Sequence, residues 1–265
     1  RAMESLDEYR AHLNARRNER PFYDADGLQD PEMAYVCWVD VMGAGSTLRR
    51  SASLAANAIV KFHDSVLRWR QENEGHHVNF YPALDGVYAV TTQFHDLMAF
   101  LGCVFVRNAL GFILDGNPLH RNMIRAGVAY GPVYQGHGGW EGSARLRDSE
   151  YGQRILFGIA LAQAYEAERR SAPPFGIAID ESARAFAAPD ARVLAGLYWR
   201  WWVMRSGEAG AKDRTVARAL QLSLEEHYDW LEAHPHELSY PADRSREHRQ
   251  RLQEYFDDIH HVHSD

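Results

Sequence analysis

The chain has 265 residues, 46% of them hydrophobic, and a formal charge of −7. That length suits one sizeable domain or one domain with appendages, and the acidic balance argues against sequence-independent binding to a nucleic-acid backbone. No apolar run is expected to reach transmembrane length and no signal-peptide pattern is found, so the expectation is a cytoplasmic protein without nucleic-acid or membrane partners. Cys37 and Cys103 lie in apolar segments and read as buried thiols of a reducing compartment.

In chain order, Met3 to Arg20 is charged with helical spacing (Leu6, Tyr9, Leu13), and Pro21 to Pro31 is a loop rich in Asp, Gly and Pro. Ala34 to Val41 is an apolar, β-branched and aromatic run, as a buried strand requires. Ser46 to Glu72 reads as one long helix with Leu54, Ala58, Phe62, Val66 and Trp69 on one stripe. Val78–Tyr81 and Val87–Thr92 read as strands joined by the hairpin turn Pro82 to Gly86. Phe94–Leu114 is a second apolar helix. Met123–Tyr130 alternates, with Ile124, Ala126 and Val128 on one face and Arg125 on the other. Gly131 to Gly142 is a Gly-rich excursion. A further helix lies within Tyr151–Arg170, strands follow at Phe175–Asp180 and Val193–Met204, and helices at Ala211–Ala233 and Arg244–His261.

This order predicts an α+β fold, a ferredoxin-like βαββαβ domain with an N-terminal helix and C-terminal helices, its sheet covered on one face and open on the other. The expected parts are residues 1–33 (helix and loop), 34–205 (the catalytic domain) and 206–265 (a helical extension).

Asp40 is the one break in the apolar run of the first strand. A carboxylate there is costly without a partner, and a divalent cation is a suitable one. Gly43, Ala44 and Gly45 follow, where the backbone can approach a phosphate closely, and Ser46 or Thr47 can cap the next helix. Asp85 sits in the hairpin that such a sheet places beside the first strand. Asp40, Asp85 and the Val41 carbonyl then form a hard-oxygen set for two Mg²⁺ or Mn²⁺ ions. An aspartate before glycine is also what an ordinary turn uses. The histidines His260, His261 and His263 read as a polar tail, and the tryptophans near Trp199 as core or dimer interface.

Four stretches carry a resemblance. WVDVMGAGS is similar to the first metal motif of class III nucleotide cyclases, YPALDGVYAV to their second-aspartate hairpin, MIRAGVAYGPVYQG to the next strand and its Gly-Pro-Val turn, and LFGIALAQAYEAE to the following helix. The positions that read a purine in such enzymes fall on Tyr81 and near Ile155. The ribose asparagine falls on Ala162 and the transition-state arginine on Glu166. With its AYE-x-E helix signature and no purine-reading set, the chain resembles the pyrimidine cyclases of bacterial Pycsar antiphage defence.

The resemblance implies UTP or CTP as substrate, a homodimer, and a separate effector that responds to the cyclic nucleotide. Tyr81 would contact the base and the turn Gly43–Ser46 the phosphates. Arg125 or Arg154 would replace the missing arginine. The alternatives are a purine cyclase with a remodelled base pocket and a non-catalytic nucleotide-sensing module.

Overall fold

The computed structural model describes residues 5–8, 10–11, 30–136, 146, 148–186, 191–203, 207–237 and 242–257. The chain divides into a smaller unit, Arg1–Pro31 with Tyr134–Leu156, and a larger one, Glu32–Val133 with Phe157–Asp265. In the smaller unit a one-turn helix, Glu150–Gln153, is capped by Ser149, whose hydroxyl accepts from the Gly152 N–H at 2.8 Å. Most of the expected leading helix and of the loop to Pro31 lies outside the described residues, as do the histidines 260, 261 and 263.

The larger unit begins with β1 (Glu32–Val41), α1 (Ala44–Arg50), α2 (Ala52–Glu72), β2 (Asn79–Ala83), β3 (Gly86–Thr91), α3 (Phe94–Leu114) and β4 (Ile124–Gln135, of which the residues to Val133 belong to this unit). It continues with α4 (Ile159–Ser171), β5 (Ile177–Ile179), α5 (Glu181–Phe186), β6 (Tyr198–Trp199), α6 (Gly207–Ala233) and α7 (Ala242–Phe256). These strands lie in the order β2-β3-β1-β4-β5-β6. All neighbours are antiparallel except β4 and β5. The βαββαβ expectation is met, with β1 between β3 and β4 as the central strand.

β1 is buried on both faces because each of its two side-chain sets has a helical cover. Tyr35, Cys37, Val39 and Val41 enter the main core with Ala58, Phe62, Val66 and Trp69 of α2 and the apolar face of α3. Each large side chain buried there stabilises the fold by roughly 1.5–3 kcal/mol. Ala34, Val36 and Trp38 point to the opposite face and are also buried.

That opposite face was expected to be open, and it is not: α4 packs against β1 and β5. The approach is made possible by Gly127 on β4, where a Cβ would stand 2.1 Å from the Ala164 carbonyl oxygen of α4. Any side chain at 127 would force helix and sheet apart. The C-terminal helices, expected as an extension, share the same compact unit: Leu220, Leu224, Tyr228, Leu252, Tyr255 and Phe256 belong to the core formed by β1 and α3.

Three further local readings are corrected. The helix predicted over Ser46–Glu72 starts at Ala44 and breaks at Ser51, which is extended and whose hydroxyl caps α2 by accepting from the Leu54 N–H at 3.3 Å. The strand predicted over Val193–Met204 is only Tyr198–Trp199, because Trp201 and Trp202 turn into a 3-10 helix where both rings are fully buried. Finally, α3 is by length and composition apolar enough to cross a membrane, with a mean hydropathy of 2.0. Here its Leu97, Phe100, Leu101, Val104 and Phe105 are core residues with no exposed surface.

Candidate active site

Asp40 ends the buried part of β1, on the face that α4 covers. Its register partner on β4 is Arg125. Val39 pairs with Val87 of β3, so the tight β2–β3 turn, Leu84–Asp85, comes alongside the end of β1. Leu84 takes a left-handed conformation there, φ 54°, and its side chain is almost fully exposed. The hairpin thus delivers Asp85 to the cavity that Asp40 lines.

Burial pushes the Asp40 carboxyl up to about 7, helped by the negative charges of Glu168 and Asp85 and opposed by Arg125 and by a hydrogen bond from the Val41 N–H. Glu168, on α4, is likewise pushed up to about 7 by burial, against the pull of Arg125 and Arg169 and with the added repulsion of Asp85. Two neighbouring carboxyls that both resist ionisation near neutrality lack positive charge.

Arg125 forms an ion pair with Glu168, whose side chain is 2% exposed. The cation offered as a replacement for the missing arginine is therefore already engaged. Arg154 belongs to the smaller unit, where it pairs with Glu150 at 2.5 Å on an exposed stretch. Glu166 pairs with Arg170, and Ala162 is exposed.

The cavity around Asp40 and Asp85 measures about 430 Å³, within the range of roughly 300–1,000 Å³ usual for small-molecule sites. Trp38, Tyr165, Arg125, Glu168 and Arg169 form its wall from the sheet and α4, while Arg244, Glu247, His248 and Arg251 enter from α7. Four arginines and four carboxylates thus share one cavity.

Sequence reasoning passed over Glu168 and the α7 residues. Glu168 was visible as the last residue of the AYE-x-E stretch. The α7 set follows the i, i+3, i+4, i+7 spacing of a single helix face, which without a known neighbour reads as a solvated stripe.

The glycine turn lies elsewhere. Gly43, at φ 75°, is the residue preceding α1, and Ser46 stands inside the helix with its hydroxyl donating to the Gly43 carbonyl at 2.9 Å. Ser46 is thus no cap. Gly43, Ala44 and Ser46 line a pocket of about 40 Å³ with Arg121, Asn122 and His227, and that pocket shares no residue with the Asp40 cavity. It has room for a few water molecules. Gly45 faces open space. Tyr81 is half-buried on β2, and burial pushes its hydroxyl up. It pairs with Tyr88, which pairs with Trp38, so the three form a row across the sheet, of which Trp38 lines the Asp40 cavity and Tyr81 and Tyr88 do not.

The donor set suits a hard divalent cation. Among the described residues no group of three or more His, Cys, Asp and Glu side chains could hold a metal by itself. An ion here would draw on Asp40, Asp85 and oxygens from outside the protein, the usual manner of Mg²⁺ with phosphate ligands.

No family model and no curated protein matches the sequence. Solved structures match at low similarity. The non-canonical dimeric guanylyl cyclase domain of the RhoGC fusion protein from the aquatic fungus Blastocladiella emersonii is 16% identical at a TM-score of 0.42, over 60% of this chain and 84% of that one. Adenylate cyclases from Trypanosoma brucei in their monomeric state give 11% identity and 0.41, over 63% and 83%. A bacterial light-regulated adenylyl cyclase gives 14% and 0.45, over 82% and 71%. Similarity of this order assigns no activity to the chain.

Proposed function

We propose that this protein is a pyrimidine nucleotide cyclase, converting UTP or CTP to the 3′,5′-cyclic monophosphate and pyrophosphate, as a second messenger of antiphage defence read by a separate effector. The observation that carries the reading is the convergence of Asp40 and Asp85 in a cavity of nucleotide size, on a βαββαβ sheet whose motifs resemble class III cyclases in order and spacing. The ribose O3′ attacks the α-phosphorus, the bond to the β-phosphate oxygen breaks, pyrophosphate leaves, and the O3′ proton passes to water. Asp40 and Asp85, with the Val41 carbonyl, would hold two Mn²⁺ or Mg²⁺ ions, which supply charge neutralisation at the reacting phosphates.

The protein's own residues set the surroundings. The Trp38 ring lies 4.5 Å from that of Tyr88 and helps wall the cavity against water. Glu168 holds the Arg125 guanidinium beside Asp40, where it limits the repulsion between the carboxylates. Tyr81 contributes to the choice of a small base. A homodimer remains part of the reading, although the sheet face on which it was expected is covered by α4 and the buried tryptophans are not free to form it.

A second reading, a nucleotide-sensing module without turnover, is favoured by the engagement of Arg125 with Glu168. Incubation with each labelled NTP and Mn²⁺, followed by separation of the products, decides between them. Cyclic UMP or cyclic CMP is expected. Preference for ATP or GTP would overturn the pyrimidine assignment, and binding without product would leave the sensing module.

A further inference from the structure

The C-terminal helix α7 is fixed to the rest of the unit along most of its length. Arg249 reaches three carboxylates of α6: Glu225 at 2.8 Å, Asp229 at 2.9 Å and Glu232 at 3.5 Å. Leu252, Tyr255 and Phe256 are fully buried, the Tyr255 hydroxyl donates to the Trp199 carbonyl at 2.7 Å, and the Phe256 ring stacks on Trp202 at 4.9 Å. With one side of the helix held this way, another side is presented to the Asp40 cavity and carries Arg244, Glu247, His248 and Arg251. The stripe is a fixed wall of the cavity, since undocking it would expose three large core side chains.

Its charge is what a polyphosphate needs. Arg125 is neutralised by the buried Glu168, whereas Arg251 is held only by the exposed Glu247 of its own helix, at 2.5 Å, a weak pair of the kind that a more highly charged anion displaces, and neither Arg244 nor Arg169 forms an ion pair among the described residues. The same cavity is lined by Asp40 and Asp85 from β1 and the β2–β3 hairpin. A cavity with two carboxylates on one side and available guanidinium groups on another complements a triphosphate carrying divalent cations. The carboxylates meet the cations, and the guanidiniums meet phosphate oxygens the cations leave uncovered.

We propose that Arg244 and Arg251 of α7 bind the polyphosphate of the substrate, so that the chain that provides Asp40 and Asp85 also provides the cations facing them. The assignment deepens the cyclase reading and rests on it for the identity of the nucleotide. The phosphate contact itself is testable without turnover.

The test is calorimetric titration of inorganic tripolyphosphate, in the presence of Mg²⁺, into the full-length protein and into Arg244→Gln/Arg251→Gln. Arg246→Gln serves as the control for loss of a charge from the same helix at an exposed position outside the cavity. The double variant is expected to bind about tenfold more weakly or worse, the control to bind like the wild type, and Arg244→Lys/Arg251→Lys to recover part of the loss. Thermal melts establish that each variant is folded; should the double variant fail to fold, the single Arg244→Gln, at an exposed position, carries the same comparison. Unchanged affinity in a folded variant overturns the proposal. So does tighter binding, which would make α7 a shield over the carboxylates. A wild type that binds tripolyphosphate through these arginines but cyclises no NTP refutes the cyclase reading and leaves this assignment standing.

Discussion

Asp40 and Arg125 stand opposite each other on β1 and β4, yet the guanidinium is ion-paired with Glu168 of α4. Burial, with the negative charges of Glu168 and Asp85 added and Arg125 opposing them, keeps Asp40 protonated up to about pH 7. A folded-state pKa raised above that of the unfolded chain stabilises the fold at low pH, and this contribution is lost as pH rises through about 7. Asp40→Asn removes the ionisation. The variant should melt at the wild-type temperature near pH 4 and above it at pH 8, while cyclase turnover falls by orders of magnitude. Mn²⁺ should raise the melting temperature of the wild type and not of the variant. Equal melting temperatures at pH 8 would show that Asp40 is not held in an uncompensated site.

Gly45 separates a phosphate role from a structural one. It lies within α1 and a Cβ there meets nothing within 4 Å. Gly45→Ala should leave the fold intact or stabilise it by up to about 1 kcal/mol, since alanine is the better helix residue. If the turn cradles phosphate, the KM for NTP should rise severalfold in spite of that. A variant with wild-type KM removes Gly45 from the substrate-binding set, in line with the separate, small pocket its neighbours form.

Much of the fold was legible because periodicity reports burial. The α3 boundaries, Phe94 and Leu114, are those its apolar pattern and the Asp-Gly-Asn-Pro stop define, and the alternation in β4 placed Arg125 on the correct face. Asp40 and Asp85 were legible because a charge in an apolar strand and an aspartate in the neighbouring hairpin each break a pattern. The covering of the second sheet face was not. It depends on Gly127 admitting α4 and on Arg249 anchoring α7, and both are long-range contacts with no local signature. For the same reason the α7 stripe, Arg251 included, carries no signal of its own in the sequence.

His227 provides a pH dependence independent of the site's carboxylates. It is 1% exposed on α6, its ring lies 5.3 Å from Phe112, and burial lowers its pKa to about 4, with the charge of Arg121 adding to the shift. A depressed pKa means that the unfolded chain takes up a proton first. Stability is therefore full above about pH 6.5 and declines as pH falls toward 4, by on the order of 2 kcal/mol at pH 5 for this one group. His227→Phe keeps an aromatic ring beside Phe112 and cannot be protonated. Denaturant melts at pH 7 and pH 5 should show a smaller acid loss for the variant than for the wild type; an identical loss assigns the acid sensitivity to other groups, of which His248 is the next in depth of shift.

Tyr81 tests the choice of base. It stands at the far end of the row Tyr81–Tyr88–Trp38, of which Trp38 lines the cavity, and the proposed role is that its rigid ring and single hydroxyl disfavour a larger purine. Tyr81→Ala should narrow the preference for UTP or CTP over ATP and GTP in a four-NTP competition, leaving Mn²⁺ affinity unchanged. UTP is the first expectation, on resemblance alone. A variant with wild-type selectivity assigns base recognition to the cavity wall itself, where Trp38 and Tyr165 are the aromatic candidates.

The strongest test of a site completed within one chain is a mixture of two inactive variants. If the carboxylates of one subunit worked with the arginines of another, a hybrid of Asp40→Asn and Arg244→Gln/Arg251→Gln would contain one site with every group intact, and mixing would restore activity. If Arg244 and Arg251 serve the Asp40 of their own chain, each hybrid site keeps one defect and the mixture stays as inactive as its parts. The geometry predicts the second result, because α7 is anchored to α6 of the same chain through Arg249 and lines the same cavity as Asp40. The measurement is cyclic nucleotide produced by the mixture after co-incubation, with hybrid formation followed by differently tagged chains. Recovery well above the sum of the separate variants refutes completion in cis, and an inactive but demonstrably hybrid mixture supports it.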